Sequence, residues 1–218
     1  MKKYIYTNIV IAILMLLVGC SNENIKAKLP PVRISDIQIN ASFERSYTFA
    51  EAYEESDMVA HIRIGDWLGD GEYITYFEAE IIEQYKGEVI NEIVLLQDGT
   101  TSETLKGYPL FTNENEMLVF LKHAVNTEYE DAYWIIGAYT TLLDVEIDKN
   151  GNQYYIDRYG ILGETISTSL NIANNEELKK ELYRNAIKRD SIVAEMEYEY
   201  NYIYNKTSLD ELMEGFKE

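Results

Sequence analysis

The stretch Asp57-Met58-Val59-Ala60-His61-Ile62-Arg63-Ile64 decides the fold. Met58, Ala60, Ile62 and Ile64 recur at every second position, with Val59, His61 and Arg63 between them. A period of two sends successive side chains to opposite faces, so this is a strand with one well-buried side. Downstream, Gly65-Asp66-Trp67-Leu68-Gly69-Asp70-Gly71 predicts a loop that turns the chain. Tyr73 to Tyr85 returns as a second strand, with Tyr73, Phe77, Ala79 and Ile81 on one face and Glu78 and Glu80 on the other. Lys86-Gly87 ends it, and Val89 to Gln97 supplies a third strand through Ile93, Val94, Leu95 and Leu96.

Asp98 to Asn115 is polar and interrupted by Gly99, Gly107 and Pro109, which predicts a long loop. Met117-Leu118-Val119-Phe120-Leu121 is apolar without alternation, as befits a strand covered on both faces. Tyr133 to Tyr139 and Leu142 to Ile147 predict further strands, and Asn150-Gly151 ahead of Tyr154-x-Ile156 is a strong hairpin signal. Upstream, a short strand is expected around Ile34, Ile37 and Ile39, and Thr48-Phe49-Ala50-Glu51 fits a capping box opening a short helix to about Glu55. Downstream, Asn174 with Glu177 can cap an amphipathic helix running to about Asn205 through Leu178, Leu182, Ala186, Val193, Met196, Tyr200 and Ile203. Within that span Met196, Tyr198, Tyr200, Tyr202 and Tyr204 alternate as a strand would, but no turn residue separates them from the helix before. Ser208-Leu209-Asp210-Glu211 predicts the cap of a last short helix. The fold class is α+β, mainly β: an OB-like antiparallel barrel with a short N-terminal helix and a long C-terminal helix.

The chain is acidic, with a formal net charge of -19. Nucleic acid requires cations that displace phosphate counterions, and anionic membranes attract basic clusters, so neither is an expected partner. The single cysteine, Cys20, rules out an intrachain disulfide and any cysteine-based zinc or iron-sulfur site. Tyrosine is abundant, 19 copies against 6 phenylalanines, which suits surfaces where a ring packs while its hydroxyl stays wet.

Lys2 and Lys3, an apolar run from Ile9 to Val18 and then Leu17-Val18-Gly19-Cys20 have the three parts of an export signal. Thr7 and Asn8 leave the run short of the roughly 20 apolar residues that span a bilayer, and no small-x-small cut site follows it. Its end resembles the lipobox of bacterial lipoproteins. The resemblance implies a diacylglyceryl group and further fatty acid such as palmitate on Cys20, cleavage before it, and anchorage on the outer face of the cell membrane. The expected organisation is a signal peptide at 1–19, a lipid-attached tether at 20–44, an OB-like domain at 45–168 and a helical extension at 169–218. At about 3.1 Å per residue the stretch from Ser21 to about Arg33 reaches roughly 20 to 40 Å.

Ser56-Asp57-Met58-Val59, Tyr85-Lys86-Gly87 and Glu116-Met117-Leu118-Val119-Phe120-Leu121 resemble segments of extracytoplasmic domains related to the netrin and metalloproteinase-inhibitor modules. That resemblance implies an OB-type barrel. The inhibitors place the amine and carbonyl of an N-terminal cysteine on a target metal, held there by disulfides. Here lipid on Cys20 and the absence of supporting cysteines remove that chemistry, and no inhibitory residue carries over.

No spacing specifies a reaction, so no residue is assigned a catalytic role and no cofactor is implied. His61 and His123 lack a second ligand at helical spacing, and no Gly-x-Ser-x-Gly elbow exists. Glu146-x-Asp148-x-Asn150-Gly151 with Asp157 resembles a calcium loop. It departs from the motif at both ends, and the hairpin already explains the spacing. Asp66, Asp70 and Glu72 lack the lysine and hydroxyl of a phosphate cradle. Trp67, Tyr198, Tyr200, Tyr202 and Tyr204 are the candidate binding residues, toward a protein or glycan partner. The expected function is a lipid-anchored extracytoplasmic binding or interaction module. The alternative is a cell-wall- or glycan-directed hydrolase whose paired carboxylates the fold, not the spacing, would bring together.

Overall fold

Residues 30, 33–40, 45–113, 115–195 and 200–217 are described by a computed structural model. In chain order the elements are β1 (Ile37–Ile39), α1 (Phe49–Glu55), β2 (Met58–Asp70), β3 (Ile74–Lys86), β4 (Glu92–Asp98), β5 (Glu103–Leu105) and β6 (Glu116–His123). They continue with β7 (Ala132–Ile135), β8 (Leu142–Ile147), β9 (Gln153–Ile156), α2 (Glu176–Arg189), β10 (Ile203–Asn205) and α3 (Lys206–Glu214).

β2 pairs antiparallel with β3 and β6, β3 with β4, and β4 runs parallel to β7, which returns to β6. The ring β2-β3-β4-β7-β6 is therefore closed, a five-stranded OB-like barrel. β6 also carries β8, then β9 and β10, as a flanking sheet. It does so by dividing one edge: Met117–Val119 face Leu142–Asp144, while Leu121–His123 face Tyr133–Ile135.

The alternation in β2 sets the layers. Met58, Ala60, Ile62 and Ile64 point into the barrel with Phe77, Ala79, Ile93, Leu95, Met117 and Val119. Val59 points outward and packs with Leu118, Phe120, Phe49, Tyr53, Tyr155, Leu209 and Met213, so α1 and α3 cover this face. The apolar run in β6 is buried on both sides, as its lack of alternation predicts. α2 lies on the opposite face of the flanking sheet, through Leu182 and Ala186 against Ile156 and Ile203.

Several sequence expectations are corrected. Gly65 to Asp70 does not leave the sheet: β2 continues for 13 residues, with register shifts between Ile64 and Trp67 and between Trp67 and Gly69. The glycines there belong to bulges, which bend a long strand around a small barrel. Asp98 to Asn115 includes β5, which pairs in parallel with β1, and Leu105, Tyr108, Leu110 and Phe111 fill the barrel interior. The third helix-terminal signal also shifts, because Asn205 and not Ser208 caps α3, accepting from the Ser208 amide at 2.9 Å.

The largest correction concerns 174–205. The helix starts after Asn175, ends at Arg189, and Ile203–Asn205 forms an edge strand on β9. Asp190 ends the helix in an extended conformation, and its carboxylate accepts from Arg33 at 2.7 Å and from the Ile192 amide at 3.1 Å. The expected helical extension is thus partly sheet. Among the described residues no helix is long and apolar enough to cross a membrane.

Tyr85-Lys86-Gly87 and Ser56-Asp57 interlock. Lys86 Nζ donates to the carbonyls of Tyr53, Glu54 and Ser56 at 2.6, 2.8 and 2.7 Å, closing the C-terminus of α1. Those carbonyls have no partner inside the helix, and the helix dipole favours a cation there. Gly87 has φ +102°, and a Cβ would stand 2.7 Å from the Asp57 carbonyl oxygen, so only glycine lets the strand pass under the clamp. Lys86→Met should cost about 2 kcal/mol, the scale of hydrogen bonds to a charged group. The corresponding fall in Tm is about 4 to 8 °C for a chain of this size; an unchanged melting curve would refute the clamp.

Candidate binding face

Cross-strand partners share a face of the sheet. On the outside of the barrel Tyr76, Leu96 and Trp134 form one row across β3, β4 and β7, and Glu78, Val94 and Ala132 form the next. Glu80 and Glu92 face each other in the third. Ile74 and Tyr129 complete an apolar cluster with Tyr76, Val94, Leu96, Ala124, Ala132 and Trp134. Tyr76, Tyr129 and Trp134 are each half-buried, so their rings are partly open to solvent.

Two loops frame this face. The Gly71 amide donates to the Ile74 carbonyl at 2.8 Å, making the β2–β3 connection tight and leaving Tyr73 67% exposed at its tip. Between β6 and β7 the Ala124 amide closes on the Ala132 carbonyl at 2.8 Å. Asn126 takes the left-handed conformation that asparagine tolerates. The Thr127 hydroxyl accepts from the Tyr129 amide at 3.2 Å and donates to the Tyr129 carbonyl at 2.7 Å. That turn brings the Tyr129 ring to 5.2 Å from Tyr76, at 50°. Burial, then Glu128 and Tyr76, push the Tyr129 phenol above its ordinary value, so it stays neutral at physiological pH. Outer strands 2 and 3 with their flanking loops are where OB folds hold ligands; here those strands are β3 and β4.

The residues singled out from sequence lie elsewhere. Trp67 packs against the barrel cluster, and its indole N–H reaches the Asp70 carboxylate at 3.3 Å. Asp70 is further occupied by the Thr75 hydroxyl at 3.0 Å and the Thr101 amide at 2.9 Å. Tyr198 lies outside the described residues. Tyr200 and Tyr204 are 6% and 0% exposed, and Tyr202 packs partly buried beside Gly163. α2 and α3 enclose the flanking sheet, so Tyr200 and Tyr204 pack into the cores on its two sides.

The four calcium-loop candidates serve three separate purposes. Asp148 closes its own hairpin, accepting from the Asn150 and Asn152 amides at 2.8 and 2.9 Å and from the Asn152 side chain at 2.9 Å. Asn150 takes part in that turn, where Gly151 has φ +85°. Glu146 is ion-paired with Arg189. Asp157 accepts from the amides of Tyr159, Gly160 and Gly163. Among the described residues no group of three His, Cys, Asp or Glu is placed to hold a metal ion.

A cleft of about 230 Å³ opens between β8 and α2, lined by Arg63, Glu116, Glu146, Asn185 and Arg189 among others. Its two carboxylates are each ion-paired with an arginine. Glu146 meets Arg189, and Glu116 meets Arg63 at 2.7 Å and His61 at 3.0 Å. The His61 hydrogen bond, with Arg63, holds the Glu116 carboxyl down to a pKa of about 2 although burial raises it. Asp144 with Arg158 and Asp190 with Arg33 make further part-buried pairs nearby. These contacts join the barrel, the flanking sheet and α2.

No protein-family model, curated protein or solved structure matches the chain. The fold and the arrangement of its surface define an OB-like barrel whose outer β3–β4–β7 face is aromatic at its centre and acidic at its rim. Sequence reasoning missed Tyr76, Tyr129 and Trp134. The one local signal was the outward phase shared by Tyr76, Glu78 and Glu80; strand order, which sets their neighbours, is long-range.

Glu116 generates a pH prediction. Its folded value lies below the ordinary 4.5, so its contribution to stability is complete above that value and is lost as pH falls through about 2. Glu116→Gln should therefore be less stable than the parent at neutral pH, with the difference closing as pH falls toward 2. Urea unfolding across that range measures it; a difference independent of pH would refute the pairing.

Proposed function

We propose that the protein is a lipid-anchored extracytoplasmic binding module that engages its ligand through the outer β3–β4–β7 face. The observation that carries this reading is the half-buried row of Tyr76, Leu96 and Trp134, with Tyr129 folded over it. Core aromatics are enclosed, as Phe77 and Phe120 are at 1% and 0% exposure. Tyr76, Tyr129 and Trp134 instead keep partly open rings with apolar neighbours, the composition of a binding hot spot. The OB-like topology supports the same location, since that face and its loops are a common ligand platform.

The address is supported by Leu17-Val18-Gly19-Cys20 behind its apolar run, which resembles a lipobox. Lipid on Cys20 and the residues between it and Arg33, where the chain docks through Leu110 and Asp190, would hold the barrel outside the membrane. The likeness to netrin-type modules rests on the resembling segments themselves, of which Tyr85-Lys86-Gly87 and Ser56-Asp57 meet around the end of α1. In that reading the shared residues are a folding device, and ligand choice lies in the outer face. A carboxylate-pair hydrolase finds no support in the β8–α2 cleft, because Glu116 and Glu146 each face an arginine.

Cys20→Ala should abolish incorporation of labelled fatty acid and move the protein out of the membrane fraction. Continued labelling would overturn the lipid anchor. For the face, Tyr76→Ser should remove binding of whichever probe the parent holds, read against unchanged melting of the barrel. Full retention would place the ligand elsewhere.

A further inference from the structure

We infer that the partner of the aromatic face is a cationic polypeptide segment, with lysine or arginine side chains lying over Tyr76 and Trp134 and paired to the surrounding carboxylates. This rests on the reading of the β3–β4–β7 face as the ligand-binding surface.

Charge selects the occupant. Glu80 and Glu92 are direct cross-strand partners, and like charges placed opposite one another destabilise a sheet. Arg63 pairs with Glu80 at 3.0 Å, but it is shared with Glu116 at 2.7 Å. Glu78 stands on the same face two residues along β3, exposed and beside Val94. Glu72 on the β2–β3 turn and Glu128, Glu130 and Asp131 on the β6–β7 loop are also exposed. Among the described residues none of Glu72, Glu78, Glu92, Glu128, Glu130 and Asp131 is in an ion pair, whereas Glu80, Glu116 and Glu146 are. The face thus holds unpaired carboxylates beside an aromatic platform whose neighbouring cation, Lys122 opposite Trp134, is committed to Asp57 at 2.9 Å, so an added cation would use both. A guanidinium or ammonium over an aromatic ring is attracted by the ring's negative face, and a nearby carboxylate strengthens the contact.

The same charges work against other occupants. A second copy of the chain would bring two acid rims together, and nucleic acid or anionic lipid would add negative charge to negative charge. A neutral glycan could stack on the rings, but it would leave the carboxylates unneutralised.

The test titrates the full chain in detergent micelles with nona-arginine at low and high salt. An uncharged glycine-serine nonapeptide and a neutral N-acetylglucosamine hexasaccharide are titrated in parallel. Nona-arginine should bind, and more weakly at high salt; the other two should not. Glu78→Gln/Glu92→Gln should weaken it by about tenfold, the scale of losing charge complementarity at an interface, while Glu176→Gln/Glu177→Gln on α2 leaves it unchanged. The Glu78/Glu92 variant removes repulsion, so its Tm should not fall, and it decides the matter even if Tyr76→Ser fails to fold. Hexasaccharide binding that Tyr76→Ser abolishes, without nona-arginine binding, would overturn the cationic partner and keep the face. Nona-arginine binding that is equally sensitive to the α2 variant, or binding of no probe, would overturn both.

Discussion

A strand has two edges, and the architecture depends on how β6 divides one of its own. Along one side it is bonded to β2 over Met58 to Arg63. Along the other it gives Met117–Val119 to β8 and Leu121–His123 to β7. The β7 contact closes the barrel, and the β8 contact starts the flanking sheet. Both faces of the strand are then covered, by barrel core on one side and by α1 and α3 on the other. No polar residue can be placed between Met117 and Leu121 without burying it unpaired.

That constraint made the barrel legible in the sequence. Two-residue alternation in β2 and unbroken apolarity in β6 are local consequences of one-sided and two-sided burial, and the Thr48 capping box forms as its spacing predicts. The errors fall where a distant partner decides. Gly65 to Gly71 has loop composition, yet β3 lies alongside and holds Trp67 and Gly69 in register through bulges. Residues 190 to 205 have helical spacing, but Arg33 stops the helix at Asp190 and β9 recruits Ile203 as a strand. The alternating tyrosines carried a true strand signal, and β10 realises its end. What the pattern did not reveal is that both faces of that strand are enclosed.

The tyrosine excess likewise separates into structural and surface uses only in three dimensions. Tyr108, Tyr139 and Tyr159 stack with ring separations of 5.3 and 4.7 Å along the series, beside Phe111 at one end of the barrel. Tyr85 and Tyr155 share a buried hydroxyl contact of 2.9 Å that Lys206 joins at 3.1 Å, tying α3 to the barrel. Tyr76 and Tyr129 also meet, at 5.2 Å, but on the outer face of the barrel. Assembled from β3 and a loop over 50 residues later in sequence, with Trp134 from β7, they form a platform that no local pattern announces.

The proposed ligand surface is this platform, and not the tryptophan of the bulged strand. The chain holds 2 tryptophans, so it offers one reporter for each alternative. Trp134 lies in the face, while Trp67 is turned against the barrel with its N–H on Asp70. Nitrogen-15 spectra of the chain titrated with nona-arginine give one indole signal for each. The Trp134 indole and the amides of Tyr76, Val94 and Tyr129 should shift together while the Trp67 indole stays in place. Movement of Trp67 alone, or of neither indole, would contradict that placement of the ligand.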